Sequence, residues 1–199
     1  MKANKLLTIA LAGIALASCK SDKKQAETEP VTAEPTTAEP VAAEPEKPAA
    51  PVKPNTALAT VTAASESSVA GTVRFAATET GTVKVELALE GLSPGEHGFH
   101  VHETGDCSAP DGKSAGGHFN PSKVDHGSHE AEVHHAGDFG NITADESGKA
   151  TSSWEVDWIS LQDGAENNVV GRAVIVHAAP DDLKSQPSGA AGARIGCGV

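Results

Sequence analysis

The sequence predicts an all-β domain, an antiparallel β-sandwich or barrel, over most of the chain. Three observations carry that prediction. Several stretches alternate apolar and polar residues with the two-residue period of a half-buried strand. Glycine-containing turn words separate them, and no segment has a long apolar stripe at helical spacing.

The elements follow in order. Leu58 to Thr62 makes a first strand and Val69 to Phe75 a second. A turn around Glu79-Thr80-Gly81 leads into Val83 to Glu90, where Val83, Val85, Leu87 and Leu89 would face a core and Lys84, Glu86 and Glu90 would face water. Phe99 to His102 is a fourth strand. Asn141 to Ala144 and Lys149 to Val156 follow, divided by the turn signal Asp145-Glu146-Ser147-Gly148. Ala173 to His177 is a continuous apolar run suited to a buried strand. Two long segments, 104–137 and 178–193, interrupt the pattern, and long ordered loops in a compact domain are usually functional.

The first residues read as export signals. Residues 1–18 form a signal peptide: a short basic start, then the apolar run Leu6 to Ala17, too short to span a bilayer as a stable helix. Leu16-Ala17-Ser18-Cys19 resembles a bacterial lipobox, which implies cleavage before Cys19 and a lipid on its thiol; an ordinary signal peptide is the alternative. Residues 19–55 form a tether in which Ala-Glu-Pro recurs at 33–35, 38–40 and 43–45. Its composition cannot bury enough apolar surface to offset ordering entropy, and extended it would reach on the order of 100 Å. These features predict a lipid-anchored protein of the cell envelope, periplasmic or at the outer membrane of a Gram-negative bacterium. Lys20 fits outer-membrane sorting.

Residues 56–199 carry twenty acidic and eight basic side chains. That excess argues against a nucleic-acid partner. It also opposes an anionic substrate, unless a cleft focuses a local positive potential.

Six histidines and one aspartate stand in an order that reads as a two-metal site. His100 and His102 are two apart, so on a strand both imidazoles share a face. His118, His126, His135, Asp138 and His177 follow from loop-like stretches and a distant strand. Imidazole suits copper and zinc alike, and three nitrogens with one carboxylate suit tetrahedral zinc.

Five words carry a family likeness: GFHVHE at 98–103, GGHFNP at 116–121, HAGDFGN at 135–141, VVGRAVIVHAAPDDL at 169–183 and GARIGCGV at 192–199. In this order they resemble copper–zinc superoxide dismutase over roughly residues 56–199. The resemblance implies an antiparallel Greek-key sandwich or barrel of about eight strands with two long functional loops. It implies one copper per subunit, held by His100, His102, His118 and His177, and one zinc, held by His118, His126, His135 and Asp138. His118 would bridge both metals as an imidazolate and relay a proton. Asp181 would link His100 to His126, Cys107 and Cys197 would form a disulfide, and Arg194 would dock the superoxide anion. The reaction is disproportionation of superoxide to dioxygen and hydrogen peroxide. With Cys107 and Cys197 paired, Cys19 is left over, which favours lipidation.

His97, His129 and His134 match no ligand position, and the spacing His-x-Gly-Asp selects His135 over its neighbour. Arg172, the competing arginine, precedes a strand and suggests a structural role. Two departures stand out. Lys184 is the only lysine of 178–193, so steering charge is weaker here or is supplied elsewhere. The chain stops at Val199, soon after Cys197, which leaves a homodimer open. A non-catalytic copper or zinc store and a stalked adhesin are the alternatives. A store needs neither Arg194 nor the cysteine pair, and an adhesin leaves the histidine order as coincidence.

Overall fold

The computed structural model describes residues 55–199. Residues 1–54, where the sequence predicts a signal peptide, a lipidated Cys19 and nearly all of a tether, lie outside the described residues. Eight strands are present: β1 (Thr56–Ala63), β2 (Ala70–Ala77), β3 (Val83–Glu90), β4 (Gly95–His102), β5 (Asp138–Ala144), β6 (Ala150–Val156), β7 (Ala173–His177) and β8 (Arg194–Gly198). Among the described residues the helical content is a single 3-10 turn, Lys113–Ala115.

All pairings are antiparallel, in the order β5-β4-β7-β8-β1-β2-β3-β6. The sheet curls into a nearly closed barrel. Strand β1 is shared between its halves: Thr56 to Val61 pair with β2, then Thr62 and Ala63 pair with β8. Neighbours such as β4–β7 and β3–β6 are distant in sequence, which is the Greek-key crossing.

Alternation explains the core. On β3, Val83, Val85, Leu87 and Leu89 are buried while Lys84, Ala88 and Glu90 are exposed. Phe99, Val101, Phe139, Ile142, Val174 and Val176 join them in one apolar cluster. Phe99 stands at its centre, edge-on to Phe139 and stacked on Trp154, so Phe99→Ala would cost about 3–5 kcal/mol in lost burial and cavity. Strand β7 is buried along its whole length because both faces are covered. Val174 and Val176 face the core, while Ala173 and Ile175 face a second, smaller cluster with Ala115 and Cys197. The long loops close over that second face.

Cys107 and Cys197 are disulfide-bonded across a sequence separation of 90, joining the loop 103–137 to β8. A third long connection, 157–172, which the strand periodicity does not predict, joins β6 to β7. It carries buried Ile159, Leu161 and Val169 onto the main core. Its only alternation, Ile159-Ser160-Leu161, is too short to mark a strand by periodicity.

Candidate metal centre

Strand β4 sends Phe99 and Val101 into the core, which turns His100 and His102 to the opposite face. His177 ends the adjacent β7. His118 comes in from the loop 103–137 through a bridge to His102, fixed by Phe119 N–H donating to the Val101 carbonyl at 2.9 Å. Candidate ligand atoms of His100, His102, His118 and His177 lie within 4.8 Å of one another, as do those of His118, His126, His135 and Asp138. His118 belongs to both groups. Asp138 opens β5 as the register partner of His100 on β4, which sets the second group beside the first.

These side chains are buried, and apart from them the buried polar residues among those described are Asp181 and His97. Each ring is held by one nitrogen. His100 Nε2–H donates to Asp181 Oδ2 at 2.8 Å, His102 Nδ1–H to the Gly116 carbonyl at 3.0 Å, and His177 Nδ1–H to the Gly192 carbonyl at 3.3 Å. His126 Nε2–H donates to Asp181 Oδ1 at 2.9 Å and His135 Nε2–H to the Val124 carbonyl at 3.1 Å. His118 Nδ1 faces Asp138 Oδ1 at 2.8 Å. The other nitrogen of each ring is buried and makes no well-aligned hydrogen bond: His100 Nδ1, His102 Nε2, His118 Nε2 and His177 Nε2 face one another, while His126 Nδ1 and His135 Nδ1 have only the Asp138 carboxylate beside them. A buried polar atom without a partner costs roughly 1–3 kcal/mol. Six such nitrogens turned into two small volumes make a donor set that fits metal ions.

Asp138 gathers the second group. Its carboxylate lies 2.8 Å from His118 Nδ1, 3.0 Å from His126 Nδ1 and 3.3 Å from His135 Nδ1. The His135 and Gly127 backbone N–H groups also donate to it, at 2.8 and 3.2 Å. Burial raises the Asp138 and Asp181 carboxyls, but their histidine contacts outweigh it and hold both well below the usual carboxylate range. Burial, then neighbouring histidines, pushes His102 down to about 2 and His177 to about 3. Burial also lowers His118, to about 4, against the pull of Asp138. These rings are therefore neutral, the form that ligates. For His126 burial lowers the value, but Asp138 and Asp181 outweigh it and raise it to about 9.

Arg194, half-buried at the start of β8, donates from Nη1 to the Gly112 carbonyl at 2.9 Å. It lines a cleft of about 760 Å³ with His102, His118 and His177. Arg172 does not line that cleft. Its Nη1 donates to the Glu103 carbonyl at 2.7 Å and its Nε to the Asn168 carbonyl at 2.8 Å, with the guanidinium 3.5 Å from the Phe119 ring centroid. It ties the unforeseen loop to the loop that carries His118. His97 bonds the His177 carbonyl at 2.7 Å, and His134 bonds the His135 carbonyl at 2.7 Å with its ring against Trp158. His129 stacks on Trp158. Asp182 caps the turn at Lys184 and Ser185.

Four supporting residues carried no role in the sequence reading. Asn141 Nδ2 donates to the Asp181 carbonyl at 2.9 Å while its Oδ1 accepts from Asp181 N–H at 2.7 Å. Gln186 clasps His126 in the same two-point way. Asn120 brackets Val124. Gly189, at φ +65°, lies so close to Asp181 that any side chain would strike the Asp181–His126 bond. The Asn and Gly positions fall inside or beside the family words; Gln186 had no signal.

Residues 69–199 match the family model described as copper/zinc superoxide dismutase. A superoxide dismutase [Cu-Zn] of Paramecium bursaria Chlorella virus 1 is 44% identical over 155 residues, 74% of this chain and 78% of the relative. Among solved structures, the clock protein EA4 aligns with TM-score 0.66 and 38% identity, covering 73% of this chain and 93% of that one. A double mutant of a SOD-like protein from Bacillus subtilis aligns with TM-score 0.65 and 35% identity, covering 71% and 94%.

Proposed function

The chain belongs to the copper/zinc superoxide dismutase family, and from that membership we propose which residues hold each metal and where the protein works. Its reaction converts two superoxide anions and two protons to dioxygen and hydrogen peroxide, with copper and zinc as cofactors. His100, His102, His118 and His177 hold the copper. His118, His126, His135 and Asp138 hold the zinc. The observation that carries this assignment is the set of six buried, unpartnered ring nitrogens: four on the all-histidine side and two beside Asp138. Bound copper supplies the one-electron chemistry, and zinc a fixed positive charge.

The chain's own residues do the rest. Arg194 projects a guanidinium into the cleft and draws the anion toward the His118 side. His118 Nε2, facing that cleft with its ring anchored at Nδ1, holds and returns a proton. Asp181 fixes the tautomers of His100 and His126 together, one carboxylate oxygen to each.

The signal peptide, lipidated Cys19 and tether place this activity at the cell envelope, as protection against superoxide outside the cytoplasm. The tether's composition and the lipobox word support that reading. Self-association as a homodimer is supported by an apolar hollow rimmed by exposed Leu58, Val170 and Val199.

Metal analysis of single variants tests the assignment. His177→Ala should lose copper and keep zinc, whereas His135→Ala should lose zinc and keep most copper. The reverse pattern overturns it. Cys19→Ser should move the protein from the membrane fraction to the soluble one, and retention in the membrane refutes the anchor. Leu58→Glu should convert a dimer to monomers in sedimentation; a wild type that sediments as a monomer refutes self-association.

A further inference from the structure

We infer that Lys123 is the second cation that steers superoxide into the cleft, supplied by the loop 103–137 in place of the loop 178–193. The inference rests on the proposed copper site and concerns how its substrate arrives.

The other cations of the domain are engaged or remote. Arg74 and Lys84 pair with Glu86, and Lys113 pairs with Asp111. Arg172 is tied to two backbone carbonyls and the Phe119 ring. Lys184 and Lys149 do not line the cleft. Lys123 does, beside His118 and with Arg194, and among the described residues no carboxylate lies within ion-pair distance of it.

Its backbone is an independent observation. Lys123 sits at φ +54°, a left-handed conformation that glycine or asparagine would adopt with less strain. The surrounding turn enforces it. Asn120 accepts the Lys123 N–H at 3.3 Å, and its side chain bonds both the N–H and the carbonyl of Val124, at 3.1 and 2.8 Å. The turn is pinned at both ends by His118 and His126. A long cationic side chain is therefore held at the cleft wall by backbone that does not favour it.

Opposing charges lining the same cleft are Asp125 and Glu103. Glu103 Oε1 accepts the Gly117 N–H at 2.9 Å and is fixed at the wall. Asp125 is exposed and competes directly with Lys123. A unit charge about 10 Å from an arriving anion in water changes its local concentration roughly twofold.

The test uses the full chain loaded with copper and zinc, measuring second-order superoxide decay against ionic strength. A parallel titration of the copper(II) form with azide gives an equilibrium readout of anion affinity. At low salt, Lys123→Gln should lower the rate about twofold and Lys123→Glu about fourfold, Lys123→Arg should keep it, and Asp125→Asn should raise it about twofold. Azide affinity should move in the same direction. The differences should shrink as ionic strength passes about 0.15 M, where the Debye length falls to roughly 8 Å. Equal rates for wild type and Lys123→Glu at low salt overturn the inference, and so do losses that persist at high salt, which would mark a structural role. A wild type that fails to accelerate decay at any salt refutes the copper site itself, and the steering role with it.

Discussion

Gln186 clasps the backbone of His126 from both sides: its Oε1 accepts the His126 N–H at 2.8 Å and its Nε2 donates to the His126 carbonyl at 2.9 Å. The two residues are 60 apart in sequence and belong to different loops. The loop 178–193 thus grips a proposed zinc ligand by its main chain as well as through the Asp181 side chain.

Gln186→Leu should therefore loosen zinc without touching a ligand. Two hydrogen bonds contribute about 0.5–1.5 kcal/mol each, so zinc affinity should fall roughly 5- to 150-fold. Competition with a chelator of known affinity measures it, and copper affinity should change less. Equal zinc affinity in the variant would mean the clasp follows the loop and does not hold it.

Asp181→Asn should have the larger effect, because one carboxylate orients a ring in each cluster. Replacing such an orienting partner typically lowers metal affinity 10- to 100-fold. Both metals should weaken in the same titration. Loss of one alone would show that its two contacts are not equivalent.

Much of this site could be read in advance because its chemistry is local in sequence. The two-residue spacing of His100 and His102 fixes their common face, and the alternation of β3 fixes its core side. The supporting contacts are different. Gln186 meets His126, Asn141 meets Asp181, and Arg172 meets Phe119 only after distant loops are folded together. No periodicity marks such pairs. The loop 157–172 is hard to read for a related reason: beyond the short Ile159–Leu161 alternation, its buried apolar residues follow no sustained interval. Gly189, one position in a run of small residues that looks merely charge-poor, is required by the close approach of Asp181.

The metal-free protein should lose stability on mild acidification. His102, His118 and His177 have folded values near 2, 4 and 3, below the unfolded value of about 6.5. The unfolded chain therefore binds more protons as pH falls below about 6.5, and stability falls with it. His126, raised to about 9, acts oppositely: its contribution is full below about 6.5 and is lost as pH rises through 9. Below about pH 6.5 the His126 contribution no longer changes while the other three rings lose theirs, so the melting temperature of the metal-free protein should drop between pH 6.5 and 4. Calorimetry that finds a flat profile there would contradict neutral, buried rings.

Breaking the Cys107–Cys197 bond releases a loop of about 90 residues, which the chain-entropy model credits with roughly 4–5 kcal/mol. For a domain of this size that corresponds to a melting point lower by about 10–20 °C. Cys107→Ser with Cys197→Ser, scanned beside wild type under non-reducing conditions, checks it. An unchanged melting point would place the restraint elsewhere.

The most direct measurement of the central claim is superoxide decay as a function of bound copper, with zinc held at one equivalent, in wild type and in Arg194→Ala. The decay rate should rise in proportion to copper up to one equivalent. Arg194→Ala should lower the rate about tenfold at low salt and by less at high salt. A fully loaded protein, with one copper and one zinc, that removes superoxide no faster than buffer would contradict that claim.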